Sequence, residues 1–121
     1  MSLTDKTPLL LHNPNCSKSR AAKGWLEGEG IEFTERLYLE DKLSKEQVLE
    51  LRALLGAPMR ESVRSGEGAF AEAGLSANSS DEEFASAIEA SPILLERPIL
   101  VHKGRAAIGR PLSKIMELFE D

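Results

Sequence analysis

Leu9-Leu10-Leu11-His12-Asn13-Pro14-Asn15-Cys16-Ser17-Lys18-Ser19-Arg20 decides how this chain folds. The leucines form a short apolar run suited to a buried strand, Asn13-Pro14-Asn15 is turn chemistry, and a helical pattern begins at Cys16. Ala22, Trp25 and Leu26 recur at helical spacing on a core face, and Gly28 and Gly30 mark a stop. After that stop, residues 31–38 carry Ile31, Phe33, Leu37 and Tyr38 and read as a second strand. A strand, a helix and a strand of these lengths form a parallel pair with a right-handed crossover.

Outward from this unit, residues 1–6 are polar and read as loose. Ser44-Lys45-Glu46-Gln47 has the form of a capping box, and Val48, Leu51, Leu54 and Leu55 carry an apolar stripe to Gly56. Pro58 opens a short helix that carries Arg60 and Arg64, which by default are solvated surface charges. Residues 65–68 have a flexible composition that would suit a lid, and residues 69–75 read as a further helical turn. Ser80-Asp81-Glu82-Glu83 is a second capping box, followed by Phe84, Ala87 and Ile88 on one face as far as Ser91-Pro92. Residues 99–101 form a strand opened by Pro98, Lys103-Gly104 a two-residue turn, and residues 105–108 the returning strand. Leu112, Ile115, Met116 and Phe119 mark a last amphipathic helix. The order is βαβ, then a helical insertion, then ββα, which makes an α/β chain with a mixed sheet flanked by helices.

The chemistry is placed at Cys16. A lone cysteine is by default a small buried hydrophobe, but this one follows a turn and has Ser17 and basic residues beside it. At a helix N-terminus, unpaired N–H groups and the helix dipole favour a thiolate, and Lys18 and Arg20 add positive charge. Thiols in such settings have pKa values of roughly 3.5–7.5, and the same amides can cradle an oxyanion. Ser19 stands where a Cys-x-x-Cys oxidoreductase has its second cysteine, and Ala22 where a cysteine-phosphatase loop has its arginine. A monothiol that depends on external thiols remains. His12 is either a satisfied structural histidine or a group that helps to hold the thiolate through charge or a hydrogen bond, and its closeness to the loop favours the second, which places it with Cys16 among the catalytic candidates.

Composition sets the bounds. The 121 residues, 41% hydrophobic and 29% charged, suit a single domain spanning 1–121. A net charge of −5 argues against nucleic acid, so any anion has to be held by arginines that converge locally. No apolar run approaches a membrane span and no signal-peptide pattern opens the chain. One cysteine agrees with a reducing, cytoplasmic compartment. Cys16, His12 and His102 are too few and scattered for a structural zinc site, and no bound cofactor is expected.

The segment from His12 to Arg20 resembles the active-site loop of the glutaredoxin-coupled arsenate reductases and their close relatives of unproven substrate. Arg60-Glu61-Ser62-Val63-Arg64, Pro92-Ile93-Leu94-Leu95-Glu96-Arg97-Pro98-Ile99 and Ile108-Gly109-Arg110-Pro111 resemble the family's remaining landmarks, in the same order. The resemblance implies a thioredoxin-like fold, a Cys16 that attacks arsenate or a similar oxyanion, and Arg64, Arg97 and Arg110 as its ligands. It also implies glutathione as co-substrate, glutaredoxin as partner, and a cis Arg97–Pro98 bond, where trans is the default for X-Pro. Two other readings stay open within this fold. One is a glutathione-linked thiol oxidoreductase with another substrate. The other is a transcription regulator that binds RNA polymerase, although such relatives commonly carry Cys-x-x-Cys where Cys16 and Ser19 stand.

Overall fold

The computed structural model describes residues 2–120. The leucine run becomes β1 (Leu9–Leu11), all of it buried, and the helical pattern becomes α1 (Ser17–Gly28). β2 (Thr34–Arg36), α2 (Lys45–Leu55), a 3-10 turn over Met59–Ser62, α3 (Gly68–Glu72) and α4 (Asp81–Ala90) follow. The chain then makes a second 3-10 turn, Pro92–Leu94, and closes with β3 (Ile99–His102), β4 (Arg105–Ile108) and α5 (Ser113–Met116).

The four strands lie in the order β2-β1-β3-β4. β1 runs parallel to β2 and antiparallel to β3, and β3 pairs antiparallel with β4. The sheet is mixed as the order of elements predicts, and its two faces follow from strand alternation. Leu9, Leu11, Ile99 and Val101 face Val48, Leu51, Phe84 and Ile88 of α2 and α4 in one cluster. Leu10 and Leu100, paired in register, meet Ala22, Leu26, Ile115 and Leu118 in the other. Burying a leucine of this kind stabilises the fold by about 1.5–3 kcal/mol, so the short central strands β1 and β3 are held chiefly by their two faces.

Local chemistry fixes the helix ends. Ser44 with Gln47 and Ser80 with Glu83 form complete capping boxes, and Gly56 ends α2 in the left-handed conformation at φ 68°. Lys103 and Gly104 both have positive φ, 52° and 74°, which is the two-residue hairpin geometry whose twist matches the strands. Arg97–Pro98 is cis, as are Thr7–Pro8 and Arg110–Pro111.

Several expectations are corrected. The second strand is Thr34–Arg36 and not residues 31–38, because β1 offers only Leu9–Leu11 for it to pair with. Only Met59–Ser62 is helical after Pro58. Arg64 lies beyond that turn, where Val63 bridges Leu95 and the Arg64 amide donates to the Leu94 carbonyl at 2.7 Å. The expected turn over residues 69–75 is α3, ending earlier at Glu72. The last helix is four residues long and continues as a 3-10 turn over Glu117–Phe119, where Leu118 is the buried residue. Trp25 is only partly buried and packs on Phe119 with ring centroids 5.6 Å apart. Residues 2–6 are not loose in contact terms: Leu3 is buried and its amide donates to Glu50 Oε1 at 2.8 Å, while residue 1 lies outside the described residues. Among the described residues no helix is long and apolar enough to cross a membrane.

Candidate active site

β1 ends at Leu11 and the chain turns into α1 through a loop that closes on itself. Asn13 accepts the Asn15 amide on its side-chain Oδ1 at 3.0 Å and the Cys16 amide on its carbonyl at 3.0 Å. The Arg20 guanidinium donates to the Pro14 carbonyl at 2.8 Å, and the Asn13 amide donates to Ser19 Oγ at 3.0 Å. Backward and forward bonds of this kind leave the loop one shape. They place Cys16 at the N-cap of α1, in extended conformation, rather than in its first turn. The His12 amide donates to the Arg36 carbonyl at 2.9 Å, which ties the loop to the end of β2.

The sulfur is buried, with Cys16 8% exposed. Burial pushes the Cys16 thiol up, but this is outweighed by the Ser19 amide, the Arg97 guanidinium and the Lys18 amide, and the net pKa is lowered. The Ser19 and Lys18 amides belong to the open first turn of α1, whose N–H groups and dipole favour the thiolate. Arg110 Nη2 donates to Sγ at 3.6 Å. The expected source of positive charge is thereby corrected. Lys18 acts through its backbone, the Arg20 side chain is spent on the loop carbonyl, and the effective cations are Arg97 and Arg110, distant in sequence.

Arg64, Arg97 and Arg110 are drawn together around Glu96. Glu96 Oε1 accepts from Arg64 Nη1 at 2.7 Å and from the Arg97 amide at 3.2 Å, and lies 3.3 Å from Arg110 Nε. Arg64 also donates to Glu67 at 3.2 Å, and Arg110 Nε donates to the Arg97 carbonyl at 2.8 Å. Among the described residues Arg97 pairs with no carboxylate, and its Nε and Nη1 are buried without a protein partner. A guanidinium held next to a thiolate with free donors is built to take an acceptor. Arg110 and Glu96, with Ser62, Ile108 and Lys114, also line part of a cavity of about 400 Å³.

His12 is 2% exposed, and its Nδ1 lies 2.7 Å from Ser19 Oγ. Burial lowers its pKa from 6.5, ahead of the opposing pull of Glu35, so the ring is neutral at pH 7. It reaches the sulfur only through Ser19, whose amide is among the groups that stabilise the thiolate. His12 is thus a buried, hydrogen-bonded histidine that adjoins the cysteine loop through Ser19. Ser19 and Glu96 are the site residues that linear pattern overlooks. Ser19 continues the buried stripe of Ala22 and Leu26, and a fully buried serine on that stripe is the signal that it serves the loop. Glu96 carries no such signal, since its partners lie 32 and 14 positions away.

Residues 11–118 match the ArsC family. The chain is 39% identical over 108 residues to an arsenate reductase of Neisseria meningitidis serogroup A, covering 88% of this chain and 92% of that one. It is 38% identical over 111 residues to YfgD of Escherichia coli K12, an uncharacterized protein, covering 90% of this chain and 93% of that one. The fold superposes on the arsenate reductase from Vibrio cholerae with a TM-score of 0.87 at 36% identity, covering 92% of this chain and 96% of that one.

Proposed function

This chain belongs to the ArsC family, whose solved arsenate reductases have the thioredoxin-like fold, and from that premise we propose that it reduces arsenate to arsenite through Cys16. The observation that carries the reading is the convergence of Arg97 and Arg110 on the chain's single thiol at the N-cap of α1. Arginine forks match the oxygens of a tetrahedral oxyanion and offset its charge, which the chain's overall −5 would repel.

In the first step the Cys16 thiolate attacks arsenic, an As–S bond forms, and an As–O bond breaks with the oxygen leaving as water after taking up protons. Arsenic keeps its oxidation state in this step. Arg97 and Arg110 hold the oxygens, and Arg64, fixed by Glu96 and Glu67, completes the positive wall. The two electrons come from two external thiols, which leave as a disulfide while arsenic goes from As(V) to As(III). With no second cysteine in the chain, those thiols are assigned to glutathione and to glutaredoxin, and water then cleaves the As(III)–S bond, releasing arsenite and the Cys16 thiol. The cavity beside Arg110 is of a size that accepts a small peptide thiol.

Steady-state arsenite formation from arsenate, with glutathione and glutaredoxin supplied, tests the proposal. Wild-type protein turns over, Cys16→Ser does not, and omission of either thiol component stops the cycle. A protein that forms a glutathione adduct at Cys16 but yields no arsenite above the protein-free rate is a thiol oxidoreductase with another substrate. A protein that does neither, and binds RNA polymerase, is not an enzyme of this kind.

A further inference from the structure

Tyr38 is 1% exposed, and its ring belongs to the core cluster that includes Leu9, Leu11, Leu94 and Ile99. Its hydroxyl, buried with it, has no partner within the protein. A buried phenol normally finds one, because leaving it unpaired costs about 1–3 kcal/mol. The position is not arbitrary. Tyr38 follows β2 by two residues, and β2 is parallel to β1, so both strands deliver their C-terminal ends to the same edge of the sheet. The bond from the His12 amide to the Arg36 carbonyl joins the two ends there. The charges of Arg97, Cys16, Arg64 and Glu96 all act on the hydroxyl, and burial, ahead of these charges, pushes its pKa up to about 12. It is therefore a neutral O–H donor throughout the working pH range.

Leu11 pairs with Arg36 on one side and Ile99 on the other, so Tyr38 and Arg97 both flank the C-terminal end of β1, and three buried polar atoms there lack a partner: Tyr38 Oη, Arg97 Nε and Arg97 Nη1. The two guanidinium nitrogens can only donate. What satisfies them is an acceptor with several oxygens, and the same species can take the phenol hydrogen. The sulfur is not that acceptor for Tyr38, since the hydroxyl makes no bond to it while both are buried. We infer that the Tyr38 hydroxyl is a substrate-contacting donor that, with Nε and Nη1 of Arg97, binds one or more oxygens of the tetrahedral oxyanion attacked by Cys16. This rests on the arsenate reading above and extends it to a residue outside the arginine set. A neutral donor at this point adds a directed bond to the oxyanion without a further cation to lower the thiolate's nucleophilicity.

Tyr38 is the only tyrosine in the chain, so a single ring-labelled resonance reports it. Arsenate is titrated into Cys16→Ser protein, with and without Tyr38→Phe, which keeps the ring in the core. The expected result is a saturable shift of the tyrosine resonance and a Kd for arsenate weakened roughly tenfold or more by Tyr38→Phe, the size of one hydrogen bond to a charged group. In the Cys16 background, Tyr38→Phe raises the melting temperature of the arsenate-free protein or leaves it no lower, keeps the thiolate midpoint unchanged and raises KM. An unchanged Kd with a motionless resonance at saturating arsenate overturns the inference while leaving the arsenate reading intact. A raised thiolate midpoint in Tyr38→Phe also overturns it, because the hydroxyl would then serve the sulfur. No arsenate binding in either protein overturns the arsenate reading and the Tyr38 assignment together. Should Tyr38→Phe not fold, the resonance in Cys16→Ser protein decides alone.

Discussion

The Cys16 sulfur is taken out of water, which by itself disfavours the thiolate, and its lowered pKa depends on what surrounds it. Arg97→Gln removes a hydrogen bond and a charge from the sulfur, so the midpoint of alkylation rate against pH rises. Lys18→Gln and Arg20→Gln leave it nearly unchanged, since neither side chain is among the groups that lower it. A midpoint that responds to Arg20 and not to Arg97 contradicts this assignment. His12 titrates in the opposite sense to a salt-bridged histidine. Its folded pKa lies below 6.5, so the unfolded state binds the proton first. The stability that its neutral, buried form contributes is present above pH 6.5 and is lost as pH falls towards the lowered folded value. Urea unfolding at pH 7.5 and pH 5.5, with the ring followed by NMR, gives a titration midpoint below the ordinary 6.5 and a less stable protein at the lower pH. A midpoint above 6.5 would mean that a carboxylate holds the ring charged. The Cys16 position was legible in sequence because turn residues and a helix start are local chemistry. The identity of its cations was not, because Arg97 and Arg110 arrive from the far end of the chain.

Elements announced by their own residues match the structure best. Both capping boxes, the Gly56 stop and the Lys103-Gly104 turn rest on interactions within a few positions, and each is where its residues say. Elements that depend on a partner depart from their local pattern: residues 31–38 are trimmed to the length of β1, and the Arg64 backbone is drawn from a helix into pairing near Leu94 and Leu95. The hairpin retains one strained residue, Lys103 at φ 52°. Lys103→Asn tolerates that conformation better and stabilises the protein by about 0.5–1 kcal/mol, a fraction of the left-handed penalty, as read by chemical denaturation. Gly109 has the opposite constraint. A Cβ there would lie 2.7 Å from Ile115 Cδ1 and 2.8 Å from Pro98 Cγ, between α5 and the start of β3. Gly109→Ala overpacks this junction and costs about 1–3 kcal/mol. Because Pro98 adjoins Arg97 and Gly109 adjoins Arg110, the same change raises the KM for arsenate. A variant of wild-type stability and KM would show that the junction yields freely.

Across the whole molecule, the fold brings Arg97 and Arg110 to one thiol and links Arg64 to Arg110 through Glu96. Arg64 comes from the insertion between the two β units, Arg97 from the residue before the Pro98 entry to β3, and Arg110 from just after β4. Glu96 joins Arg64 to Arg110, so the insertion and the hairpin are coupled at the site as well as through the core. The α/β order was readable from sequence because strand and helix periodicities are local. The arginine cluster was reachable only through family resemblance, since nothing in spacing distinguishes Arg64, Arg97 and Arg110 from the exposed Arg60 and Arg105. That contrast supplies the most direct test of the central claim that geometry, and not charge alone, makes an oxyanion site for Cys16. Arginine-to-lysine substitutions at Arg97, Arg110, Arg60 and Arg105 keep the formal charge and remove the planar fork. Arsenite formation measured with glutathione and glutaredoxin falls roughly tenfold or more in kcat/KM for Arg97→Lys and Arg110→Lys, where charge-assisted bonds to the oxyanion are lost, and stays near wild type for Arg60→Lys and Arg105→Lys. Equal, small effects at all four positions would contradict the account.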